Sequence, residues 1–167
     1  ALARVLQNRG ESNRGWEVLY DLAGHPRIDL EIARWTSAAG DHITALDQLD
    51  AITSRQALPR GLRAQAWSAI AVVQDELANT QGALDAVGEA LRLDPNSPAP
   101  YMTLALLSER RGDFEGALEY LRRARGMAPS DVNLWLRMAR VAQRAGKSPE
   151  GVQALVRAVE LEPDSPE

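Results

Sequence analysis

Proline recurs at Pro95, Pro129 and Pro163, positions i, i+34 and i+68. The same step links Trp67, Tyr101 and Trp135, and it links Ile70, Leu104 and Met138. Four further columns keep it: Ala71, Ala105, Ala139; Val87, Leu121, Leu155; Ala90, Ala124, Ala158; Leu93, Met127, Leu161. A fixed period of this length means one supersecondary unit, repeated, that cannot bury its apolar face alone and must stack on its neighbours.

The columns read as two helices per copy. Tyr101, Leu104, Ala105 and Ser108 fall at i, i+3, i+4 and i+7, one face of a helix. Gly112 supplies a left-handed residue that ends it, and Asp113 can cap the next. Ala117, Leu118, Leu121 and Ala124 line the second helix, and Pro129 stops it. Ser148 is expected to cap the last second helix, with Pro149 at its first position. Ala105 and Ala117 sit where the two helices cross, and a large side chain there would force them apart.

These residues resemble the tetratricopeptide repeat. Its pattern runs large aromatic, Leu, Ala, a Gly-Asp turn, Ala, an aliphatic, Ala and a closing Pro. Copy 98–131 carries it as Tyr101, Leu104, Ala105, Gly112-Asp113, Ala117, Leu121, Ala124 and Pro129. Copy 132–165 carries Trp135, Met138, Ala139, Gly146, Gly151, Leu155, Ala158 and Pro163. Copy 64–97 has Trp67, Ile70, Ala71, Ala83, Val87, Ala90 and Pro95, with Ala78-Asn79 replacing the Gly turn. Upstream, residues 26–63 form a divergent copy with Ala33, Gly40-Asp41, Ala45 and Leu49, and Asp29 stands where the aromatic belongs. Gly40 to Ala78 is four residues too long, which predicts an extended connection over Gln56–Leu62. Residues 1–25 read as a partial repeat and 166–167 as the start of another, so the segment is expected to come from a longer chain. The resemblance implies an all-α, right-handed superhelical solenoid of about nine to ten helices.

Composition bounds the rest. Ala is 27 and Leu 22 of 167 residues, with Ile 5 and Phe 1, a bias toward closely packed helices over strands. Net charge is −4, which argues against a protein that lives on nucleic-acid phosphates. There is no Cys, which removes disulfides and thiolate chemistry. No run of eighteen apolar residues spans a membrane, and the opening Ala1-Leu2-Ala3-Arg4 shows no signal peptide. Arg numbers 18 against a single Lys147. A genome rich in G and C, and hence a bacterial source, is the simplest account.

No reaction centre is legible, so no enzyme, no cofactor and no metal are expected. His25 and His42 lack a partner at i±4 and read as solvated caps. Gly146-Lys147-Ser148 mimics the end of a phosphate loop, but Val141 stands where its first Gly would be, and a repeat turn is the better reading. Asp75-Glu76 are adjacent and point apart on a helix. Trp67 and Trp135 belong to the repeat's core column. Trp16 and Trp35 are expected to be buried rather than free to stack on a ligand.

In the family, partners lie along the concave first helices. Carried over, the inward positions are Gln65, Ser68, Val72 and Asp75; Met102, Leu106 and Glu109; Asn133, Leu136, Arg140 and Gln143; and, in the divergent copy, Arg27, Leu30 and Arg34. The Lys and Asn clamp of the chaperone-binding members is missing, since those positions carry Ser68 and Val72, Met102 and Leu106, Leu136 and Arg140. Met102, Leu106 and Leu136 are then apolar anchors for a protein partner. Arg137, Arg140 and Arg144 make an i, i+3, i+7 stripe, read first as a solvated face and alternatively as a surface for an anionic partner. Arg122, Arg123 and Arg125 form a second basic cluster with the same two readings.

The expected function is therefore a non-enzymatic scaffold. The Ala/Leu/Arg-rich composition is similar to that of periplasmic repeat scaffolds of exopolysaccharide secretion, those that serve cellulose synthase and those of Pel- or alginate-type export. The partner would then be a polysaccharide-modifying enzyme or a secretion component, with polysaccharide contact through Trp16 or Trp35 as a variant. The alternatives are a cytoplasmic regulatory or sensor domain that binds a signalling peptide, and an α/α-toroid enzyme. The toroid would need more helices and carboxylates gathered at one mouth.

Overall fold

The computed structural model describes residues 24–162. Among them lie eight α-helices and no strand: α1 (Pro26–Ala38), α2 (His42–Thr53), α3 (Arg60–Glu76), α4 (Thr80–Leu93), α5 (Pro98–Arg110), α6 (Phe114–Met127), α7 (Val132–Arg144) and α8 (Ser148–Leu161). The partial repeat over 1–25 lies largely outside the described residues, as do Pro163 and the repeat start at 166–167.

The chain divides into two compact units, one ending at Leu93 and one beginning at Asp94. In the first, α1 packs on α2 and α3 on α4. The second helix α2 also packs on α3, and the first helices α1 and α3 touch. In the second unit α5 packs on α6, α6 on α7, and α7 on α8. Each pair is an antiparallel hairpin closed by a turn too short to allow any other arrangement.

The turns explain the period. Gly40, Gly112 and Gly146 take φ of +91°, +77° and +72°. A left-handed residue is needed there to reverse the chain, and glycine takes it without a Cβ penalty. Ala78 occupies the same position at φ +60°. Asp113 then caps α6 by accepting from Gly116 N at 2.9 Å, and Asp41 caps α2 by accepting from Thr44 N at 3.1 Å. Asp131 caps α7 through Leu134 N at 3.3 Å. The expectation for α8 is corrected: Ser148 is already helical, and Lys147 stands at the cap without a side-chain bond.

The long connection expected over Gln56–Leu62 is shorter: residues 54–59 separate α2 from α3, six against the four before α5 and before α7, and Arg63 holds them by donating to Arg55 O at 2.6 Å. The larger difference is in α3, which has 17 residues where α5 and α7 have 13, while α2 has 12 where α4 and α6 have 14. One extra helical turn satisfies its own backbone groups, which an extra loop turn would not.

Most column residues fill the interiors, while Leu155, in the column of Val87 and Leu121, is 48% exposed. Ala45, Leu49, Ala71, Ala83, Val87 and Ala90 are buried in the first unit. In the second, Ala105, Ala117, Leu118, Leu121, Ala124, Leu134, Met138 and Val141 form one cluster, with Tyr101 and Trp135 against its edge. Trp67, Tyr101 and Trp135 are all half-buried, alike in each copy. They flank the interior rather than fill it, a correction to their reading as core. Trp135 keeps a polar tie through Nε1 to Pro129 O at 2.8 Å. A Cβ on Gly151 would stand 3.2 Å from Ala139 O, which is why that crossing admits only a small residue.

Candidate partner-binding site

The first helices α5 and α7 of the second unit carry most of the expected contact positions. Met102 and Leu106 on α5 are half-buried, and Leu136 on α7 is 47% exposed. Asn133, Arg140 and Gln143 are exposed. These apolar side chains at turn spacing fail to enter the interior because Ala105, Leu107, Leu134 and Met138 already fill it.

Two charged positions are spent internally. Arg137 Nε donates to Glu109 Oε1 at 2.7 Å and Nη2 lies 2.6 Å from the same oxygen, with the two side chains 17% and 12% exposed. The pair ties α5 to α7, so neither residue presents a free charge. Arg144 lies over the Phe114 ring at 4.2 Å, a cation–π contact. Within the expected stripe, Arg140 has neither an ion pair nor a ring contact among the described residues. Within the stripe only Arg137 is drawn into the fold, by its pair with Glu109, while Arg140 and Arg144 are exposed.

The second basic cluster resolves similarly. Arg122 grips Glu150 through Nε at 2.9 Å and Nη2 at 2.6 Å, and also meets Glu119. The hydrogen bonds to Arg122 hold the Glu150 carboxyl below the usual carboxylate range, and Glu150 in turn raises the Arg122 guanidinium. Arg125 lies over Trp135 at 5.6 Å, and Arg123 is exposed.

In the first unit Gln65 is exposed, while Val72 and Asp75 are half-buried. Ser68 is corrected: it is 4% exposed and its hydroxyl donates to Ala64 O at 3.0 Å, so it cannot meet a partner. Leu30 is buried as well, Arg27 is exposed, and Arg34 pairs with Glu31 at 2.8 Å. Trp35 is 7% exposed against Ile32 and Ile28, as expected, and so cannot stack on a sugar. Trp16 lies outside the described residues. Asp29, in the aromatic position, pairs with Arg55 at 2.8 Å and accepts from Gly24 N, which replaces the missing packing with polar ties.

Sequence reasoning missed one cluster. Ser37 donates to Glu76 Oε2 at 2.7 Å, His42 Nδ1 lies 3.3 Å from the same oxygen, and Ser37 and His42 are 3.3 Å apart. His42 is therefore not the partnerless cap expected. One carboxylate oxygen meets both groups, and the imidazole touches them with a single nitrogen. A relay would need the His between Ser and carboxylate, with one ring nitrogen on each. The geometry is that of a strut linking α1, α2 and α3.

At the α7–α8 hairpin a groove of about 370 Å³ is lined by Leu136, Ala139, Arg140, Gln143, Ser148, Gly151, Val152 and Leu155. No helix among the described residues is long and apolar enough to cross a membrane.

Residues 98–141, which span α5, α6 and most of α7, match the tetratricopeptide repeat family. The fold of the chain is shared with solved structures at low identity. A crystal structure of MamA protein superposes with a TM-score of 0.60 at 18% identity, covering 96% of this chain and 88% of that one. MamA 41-end from Desulfovibrio magneticus RS-1 gives 0.60 at 17% identity, covering 98% and 94%. The APC/C hetero-tetramer Cut9-Hcn1 gives 0.63 at 16% identity, covering 98% of this chain and 33% of that one. No curated protein sequence matches the chain. The fold is that of helical hairpins of the tetratricopeptide-repeat type.

Proposed function

We propose that the chain is a non-catalytic scaffold whose first helices hold a partner protein. One observation carries the reading: Met102, Leu106 and Leu136 stand partly uncovered on successive first helices whose mutual position the Glu109–Arg137 pair fixes. A rigid row of apolar anchors with polar neighbours is the anatomy of a recognition surface, where a few buried anchors supply most of the affinity. Arg140 and Asn133 add polar contacts at its edge.

The setting we propose is a bacterial envelope complex for exopolysaccharide secretion, with the repeats in the periplasm and a polysaccharide-modifying enzyme or secretion component as partner. Its support is the Ala/Leu/Arg-rich composition with a single Lys. The burial of Trp35 leaves Trp16 alone as an aromatic for polysaccharide contact. The test pairs affinity capture with the coding sequence. The native chain and a Met102→Asp/Leu106→Asp variant serve as baits in the source organism. Capture of an envelope protein by the native bait alone, with a β-barrel encoded downstream in frame, supports the reading. Capture unchanged by the variant ends the groove assignment, and a kinase or DNA-binding module in the same reading frame ends the setting.

A further inference from the structure

In the second unit the α5–α6 and α7–α8 hairpins approach each other mainly along one line, where α6 lies on α7. The first unit differs, since α1 there also touches α3. Leu118, Leu121, Leu134, Met138 and Val141 make that line an apolar seam, and all five are fully buried. Apolar attraction is non-directional, so it opposes separation of the hairpins far more than a small roll about the seam.

The roll is opposed by what stands on either side of that line. On the first-helix side Glu109 of α5 holds Arg137 of α7, and on the second-helix side Arg122 of α6 holds Glu150 of α8. Lys147, beside the start of α8, adds a contact to Glu115 of α6 at 3.1 Å. Rolling the hairpins one way stretches the first clasp and slackens the second, and rolling the other way does the reverse. The clasps are unequal. The Glu109 and Arg137 side chains are 12% and 17% exposed, against 26% and 35% for Glu150 and Arg122 and 50% and 72% for Lys147 and Glu115. Dissolved ions screen exposed charges more than shielded ones, so the second-helix side weakens first as salt rises.

We propose that this joint is a two-clasp hinge that sets the spacing of the partner-binding row: releasing the Arg122–Glu150 clasp opens the second helices and draws Leu136 toward Met102. The consequence for binding rests on the scaffold reading above, whereas the motion does not and is measured on the free chain. Helices pack about 10 Å apart, so a roll of about 10° moves either side by roughly 2 Å.

The chain has no Cys, so paired spin labels can be introduced without removing native thiols. Labels at Met102→Cys with Leu136→Cys read the first-helix side, and labels at Arg123→Cys with Arg157→Cys read the second, by dipolar electron paramagnetic resonance at low salt. Glu150→Gln should lengthen the second distance by roughly 2 Å and shorten the first. Glu109→Gln should do the opposite. In about 1 M sodium chloride, where the screening length is about 3 Å, the native chain should move as Glu150→Gln does, and the variant should move little further. If Glu150→Gln does not fold, the salt response of the native chain decides the same point. Distances that stay fixed, that grow together on both sides, or that answer equally to salt with and without Glu150 overturn the proposal. Distances that move as expected, together with capture of the same proteins by native and Met102→Asp/Leu106→Asp baits, leave the hinge standing and end the groove reading instead.

Discussion

Ala78 offers a clean substitution. It holds the helix-reversing position at φ +60°, where Gly40, Gly112 and Gly146 hold it in the other hairpins. An L-residue with a Cβ loses about 1–2 kcal/mol in the left-handed region. Glycine avoids that loss but gives up about 0.4–1 kcal/mol by freeing the unfolded chain. Ala78→Gly should therefore stabilise the fold by roughly 0.5–1 kcal/mol, the difference of those two terms. The turn itself should not change, because it is held by backbone bonds from Ala78 N to Asp75 O at 2.9 Å and from Asn79 N to Gln74 O at 2.8 Å. The Asn79 side chain adds a bond from Gly82 N at 3.0 Å. The reverse substitution, Gly112→Ala, is the matched control. A Cβ at Gly112 meets nothing within 4 Å, so φ alone sets its penalty. It should cost about the amount that Ala78→Gly gains.

The assay is urea denaturation followed by far-ultraviolet circular dichroism, with amide exchange over 60–93 as the local readout. The midpoint should rise for Ala78→Gly and fall for Gly112→Ala, with unchanged slopes. A lower midpoint for Ala78→Gly would refute the reasoning, since it would mean that the alanine methyl gains more from its surroundings than its backbone loses.

Two further substitutions probe the ties between repeats. A double-mutant cycle of Glu109→Ala and Arg137→Ala should give a coupling of about 1.5–3 kcal/mol by calorimetry, the range for hydrogen bonds to charged groups, because both side chains are largely shielded from water. Additive singles would show that the pair holds nothing. The Glu150 carboxyl titrates below its unfolded value because of Arg122, so its stabilisation is fully present above the usual carboxylate range and is lost as pH falls through the lowered value. Glu150→Gln should therefore flatten the acid side of a stability-versus-pH curve and leave its slope near neutrality unchanged. An identical acid limb in the variant would contradict this.

The hairpins were legible because most columns meet the same environment once per period. Ala117 and Gly151 are small for one reason, the close crossing beneath them, and Gly112 and Gly146 share one backbone conformation. What escaped the sequence depends on contacts between copies. The extra turn of α3 and an unusually long loop have the same length, and only the helical bonds of residues 60–63 tell them apart. Ser68 occupies a position that faces outward in other copies, yet it is buried and bonded to its own helix. His42 reads as unpartnered because Glu76 lies a full period further along the chain, at the end of the next first helix.

The arginine stripe shows why spacing on one helix was insufficient. Arg137, Arg140 and Arg144 share a face of α7 by periodicity, and periodicity assigns them one role. Their fates depend on α5 and α6, which present Glu109 to the first and the Phe114 ring to the third, and no acidic group to the second. A usable signal did exist. Glu109 to Arg137 and Arg122 to Glu150 span the same sequence separation of 28, six short of the period. Six residues of helix rise are about 9 Å, so consecutive repeats meet with one stagger on both their first and their second helices. Opposite charges recurring at the period minus six therefore mark ties within the solenoid.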